Sequence, residues 1–92
     1  MEAKRVIVTV IGQDRVGIIA AVATALADNQ INILDISQTI LQEFFTMIMI
    51  VDISASGLGI QDLQDILRGV GEGLGMQIQA QHEDIFRFMH RI

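Results

Sequence analysis

Two histidines, His82 and His90, are the side chains best suited to metal or acid–base chemistry, and Glu83 and Asp84 follow directly after the first. Eight residues apart on a helix, they stand more than two turns and about 12 Å apart along the axis. That is too far to share one metal ion. The adjacent carboxylates suit the cap of a helix instead. The chain has no cysteine, which removes thiolate zinc sites, disulfides and a cysteine nucleophile. Ser37, Ser54 and Ser56 have no identifiable base partner. Five methionines, Met47 and Met49 among them, read as core filler rather than as a cofactor box. No catalysis, metal or cofactor is expected.

The run Gly12-Gln13-Asp14-Arg15-Val16-Gly17-Ile18 has a different kind of chemistry. It lies between a β-branched stretch and an alanine-rich one, so it reads as a strand-to-helix turn. It lacks the Gly-Lys-Ser/Thr ending of a P-loop. A helix N-terminus offers free N–H groups and partial positive charge to a carboxylate. Gly12 and Gly17 would let a ligand approach the backbone. Asp14 could pair with an ammonium or cap the helix, and Arg15 could bind a carboxylate or shape the rim. Val16 and Ile18 would contribute amides. Asn32 adds a donor and an acceptor farther along. On the residues alone, a tight structural turn accounts for the same pattern.

The elements that must position this turn follow from the apolar spacing. Residues 5–11 are almost wholly β-branched, with Val6, Val8 and Val10 on one face and Ile7 and Ile11 on the other, a strand for the middle of a sheet. A helix is expected over about 15–28, on Ile18, Ile19, Val22, Ala25 and Leu26. A second strand spans roughly 31–41, with Leu34, Ile36 and Ile40 alternating with Asp35, Ser37 and Thr39, so that one face is buried. Gln42-Glu43 is the turn to a third strand, 44–54, again apolar on both faces. Ile60, Leu63, Leu67, Val70 and Leu74 form the seam of an amphipathic helix over about 60–74. A short strand at 76–81 and a short helix at 83–91 complete the chain.

The order βαββαβ is the split-βαβ, ferredoxin-like pattern. The expected fold is an α+β sandwich: a four-stranded antiparallel sheet of order 4-1-3-2, two helices on one face and a short C-terminal helix, with residues 1–92 as one domain. The two-sided apolar strands are the first and third, as that order requires.

The net charge is −5 and the six basic residues are dispersed, which argues against nucleic-acid binding. The longest apolar run, 16–27, is too short to span a bilayer, and no signal peptide is recognisable. A cytoplasmic protein without membrane contact is expected. At 51% hydrophobic residues the chain carries more apolar surface than a monomer of this size easily buries, so an oligomer is expected.

The stretch VTVIGQDRVGIIAAVATALADNQINILDISQ, residues 8–38, with its G-x-D-R-x-G-I turn and its second strand opening I-N-I, resembles the ACT domain. The ending HEDIFRFMHRI is further similar to stand-alone ACT proteins related to the ACT halves of glycine-cleavage regulators. The resemblance implies a regulatory module that binds a small molecule, an amino acid above all. Gly12, Asp14, Arg15, Val16, Gly17, Ile18 and Asn32 would then form the ligand site. No second ACT unit, catalytic domain or DNA-binding domain accompanies it, so regulation would pass through a protein partner or through sequestration of ligand. A purely assembling protein with no small-molecule ligand is the alternative. The resemblance also implies a homodimer joined along the second strand, an eight-stranded sheet with ligand at the junction. That strand has one charge, Asp35, and no Pro or Lys to protect an edge.

Overall fold

The structure is a computed structural model and describes residues 4–83. The elements run β1 (Arg5–Gln13), α1 (Ile18–Asp28), β2 (Asn32–Leu41), β3 (Phe44–Asp52), α2 (Ile60–Leu74) and β4 (Gln77–His82). They form one antiparallel sheet of order β2-β3-β1-β4, the expected order read from the other edge. The helix expected over 83–91 lies, beyond Glu83, outside the described residues, as do Asp84 and His90.

One face of the sheet carries the core. Val6, Val8 and Val10 of β1 lie opposite Val51, Met49 and Met47 of β3. All six are fully buried beneath Ile18, Val22 and Leu26 of α1 and Leu63 and Leu67 of α2. The 60–74 seam holds, with Leu63 and Leu67 sealed and Ile60, Val70 and Leu74 packed at its margin. The other face of the two central strands is apolar as expected, but its side chains are partly open: Ile11 is 50% exposed and Ile48 46%.

β2 departs from expectation. Ile36 and Ile40 face Met49 and Phe45 on the core side, yet both are exposed, at 42% and 53%. Alternation correctly put them on one face. It did not reveal that the helices stop short of this edge. Leu34 is also exposed, because a bulge between Ile33 and Asp35 takes it out of the ladder. At the opposite edge, the Gln64 side-chain amide donates to the Ala80 carbonyl at 2.8 Å, so α2 covers part of β4.

The Gln42-Glu43 turn joins Leu41 to its partner Phe44. Gln42 takes the left-handed conformation, φ 59°, which costs an L-residue about 1–2 kcal/mol. Gln42→Gly relieves that cost against a larger loss of chain entropy, roughly 0.5–1 kcal/mol. The expected result is a net gain of about 0.5 kcal/mol, read as a higher urea midpoint at unchanged slope. A lower midpoint would mean that the Gln42 side chain stabilises the turn.

Candidate functional site

The β1–α1 turn is fastened to two distant elements. The Asp14 N–H donates to the Glu43 carbonyl in the β2–β3 turn at 2.7 Å. The Arg15 guanidinium donates to the Leu74 carbonyl at the end of α2 at 3.0 Å. A cation there also complements the negative end of the α2 dipole. Arg15 is thus a strap between the turn and α2.

Helix α1 begins three residues later than expected, at Ile18. Asp14 therefore does not cap it. The N-cap is Gly17, left-handed at φ 91°, with no side-chain cap bond. Glycine has no side-chain oxygen to offer the first turn, so the residue that allows the left-handed end of the loop also leaves the helix without a side-chain cap. The first bond of the helix is Ala21 N–H to Gly17 O at 2.9 Å. The N–H groups of Gly17, Ile18, Ile19 and Ala20 are the donors without an intrahelical acceptor.

Those four residues border a groove of about 310 Å³, of which Gly17, Ile18, Ile19 and Ala20 form one wall. Gln38 and Ile40 of β2 form the other, Phe45 of β3 lies below, and Asp14 and Arg15 stand at the rim. Phe45 is 3% exposed and belongs to the core, so this floor is rigid. Among the described residues, the Asp14 side chain makes no hydrogen bond or ion pair.

The structure brings together Asp14, Arg15, Gly17 and Ile18 of the expected site. Val16 is 97% exposed and outside the groove. Gly12 lies beneath it, opposite Phe45 in the ladder, and is packed against Met76, whose sulfur occupies the space a Cβ would need. Asn32 stands opposite Asp52 at the far end of β2. Gln38, Ile40 and Phe45 were not foreseen, nor were Ile19 and Ala20 of α1. One signal was available for the first: Gln38 interrupts the series Ile36, Gln38, Ile40 at core-facing positions, where a strand packed only on its own core would carry an apolar residue.

The remaining candidate chemistry is sparse. His82 is exposed at the end of β4, opposite Val6. Among the described residues no cluster of three His, Cys, Asp or Glu side chains could hold a metal ion. No helix among them is long and apolar enough to cross a membrane. The Asp52 carboxyl is held below the usual carboxylate range, first by the Ser54 N–H at 2.9 Å and also by the Lys4 N–H and the Arg5 charge. It ties the end of β3 to the start of β1, away from the groove.

The chain matches the ACT domain family over residues 4–81. A UPF0237 protein of Methanocaldococcus jannaschii is 56% identical over 88 residues, 96% of this chain and 98% of that protein. An ACT domain protein from Streptococcus pneumoniae has the same fold at TM-score 0.82 and 38% identity, over 92% of this chain and 96% of its own. A structure described as a putative glycine cleavage system transcriptional repressor superposes at TM-score 0.77. It is 22% identical over 89% of this chain and 47% of the other, a likeness of fold.

Proposed function

Since the chain belongs to the ACT domain family, a family of regulatory modules, we propose that it is a regulatory module that binds a free amino acid in the groove between α1 and β2, without catalysis of its own. The observation that carries this reading is the meeting of two opposite features at one concavity. The uncapped amides of α1 suit a carboxylate. The Asp14 carboxylate at the rim suits an ammonium group, and a free α-amino acid has both. The expectation that Val16–Ile18 amides hold the carboxylate moves to Gly17–Ala20, because the helix starts later.

The groove opens along the β2 edge, which is uncharged apart from Asp35 and lined by exposed Leu34, Ile36 and Ile40. We infer that a second copy pairs with this edge in antiparallel fashion. Such pairing sets the Asn32 end of one strand against the Leu41 end of the other. Asn32 then reaches the partner's turn and groove, the role it has no means of filling within one chain. The partner would also supply the missing outer wall.

The test is calorimetric titration with the common amino acids. Asp14→Ala removes one charge-assisted bond, and affinity is expected to fall roughly ten- to hundredfold with the unfolding midpoint unchanged. Asn32→Ala is expected to act in the same direction. If no amino acid binds at millimolar concentration while the protein still dimerises, the assembly reading replaces this one.

A further inference from the structure

We propose that the groove selects an amino acid with an apolar side chain of intermediate size, such as leucine, isoleucine, valine or methionine, and that Ile40 sets this preference; the inference rests on the amino-acid reading of the groove. A volume of about 310 Å³ is at the low end of the range of ligand pockets, ~300–1,000 Å³. It suits one free amino acid and is small for a nucleotide. Once Asp14 and the α1 amides engage the ammonium and the carboxylate, what remains of one chain's lining is Ile18, Ile19, Ala20, Ile40 and Phe45, with one neutral polar side chain, Gln38, to which the dimer would add Asn32 of the partner subunit.

Ile40 is the telling residue. Its ladder position faces the core beside Phe45, yet it is 53% exposed, and Ile19 across the groove is 40% exposed. Among the described residues nothing covers the apolar surface that these two side chains leave on both walls, and an occupant of the groove would cover it. A ligand side chain of a few carbons does so, whereas glycine and serine leave it wet.

Charged side chains fare worse. The guanidinium of Arg15 is turned to the Leu74 carbonyl and is not aimed at the apolar wall. Asp14 is the one carboxylate of the lining, and the ligand ammonium claims it. An aspartate or lysine side chain would therefore lose water without gaining an opposite charge. The floor sets the upper limit, because Phe45 is locked in the core.

The test measures glycine, serine, aspartate, lysine, valine, leucine, isoleucine and methionine against the intact chain by calorimetry. Amide chemical-shift mapping places each on or off the groove. The four apolar amino acids are expected to bind at least about tenfold more tightly than glycine or serine. Ile40→Asn is expected to erase that ratio, and Ile40→Ala to reduce it severalfold. Glycine, serine or a charged amino acid binding in the groove as tightly as leucine overturns the selectivity and leaves the site standing. A leucine preference that survives both variants overturns the role of Ile40. If no member of the panel shifts the groove amides, the site reading falls and the selectivity with it.

Discussion

Two alanine substitutions on the same helix are expected to move stability in opposite directions. Gly71 is buried on the inner face of α2, and a Cβ there would lie 2.6 Å from the Met76 carbonyl oxygen. That oxygen cannot withdraw cheaply, because the Met76 N–H is itself bonded to the Gly71 carbonyl at 2.9 Å. Overpacking of this kind costs about 1–3 kcal/mol, and alanine's better helix propensity returns about 1 kcal/mol. Gly71→Ala should therefore destabilise by about 1 kcal/mol and at most about 2, or roughly 5–10 °C in Tm for a domain of this size. At Gly69 nothing lies within 4 Å of a Cβ. Gly69→Ala should gain about 1 kcal/mol and roughly 5 °C. Thermal scans at matched protein concentration decide the matter; shifts of the same sign would mean that α2 does not press against the Gly75–Met76 turn as described.

The largest change in assembly is expected from one proline. The Ile36 N–H donates to its neighbour's carboxylate, Asp35 Oδ1, at 2.9 Å. Beyond the bulge, this marks the even-numbered N–H groups from Ile36 to Ile40 as those facing the outer edge, since successive groups alternate. Gln38→Pro then removes an outward donor that the proposed second copy would use. A folded monomer that no longer binds amino acid is the expected outcome. Gln38→Ala keeps the N–H and loses the side chain, so it should remain dimeric. Ser37→Pro strikes the ladder to β3 and should lower stability instead. Sedimentation velocity at micromolar concentration reads the result. Wild-type protein that sediments as a monomer sinks the dimer, as does a folded Gln38→Pro that stays dimeric.

The fold was legible because its signals are local and periodic. Val6, Val8 and Val10 backed by Ile7 and Ile11 mark a central strand wherever they occur, and the 60–74 seam needs no knowledge of its neighbours. Half of the candidate site was legible for the same reason, since Asp14, Arg15, Gly17 and Ile18 follow one another in the chain. The other half was not. Gln38, Ile40 and Phe45 join the groove through strand register, and a pattern of alternation carries no register. The helix start was misplaced because Asp14 has the chemistry of a cap, whereas the cap position follows from the left-handed turn at Gly17. The role of Arg15 depends on a carbonyl at Leu74, a long-range contact that no spacing rule reaches.

The position of β1 between β3 and β4 also governs how the chain reaches this state. Val6 faces Val51 on one side and His82 on the other, so β1 is the first strand made and the last to be completed. The β2–β3 hairpin closes locally, in about 1–10 μs. Pairing β1 with both neighbours must wait for loop closures across nearly the whole sequence, whose entropy is lost before the contacts form. Folding on the order of milliseconds or slower is the consequence. Until then the inner edge of β3, FFTMIMIVD, stands bare. That segment is uncharged until its last residue and rich in β-formers, the composition of an aggregation-prone stretch. The interval before β1 inserts is therefore the moment at which crowding, fast synthesis or a destabilising substitution would divert this chain from its fold.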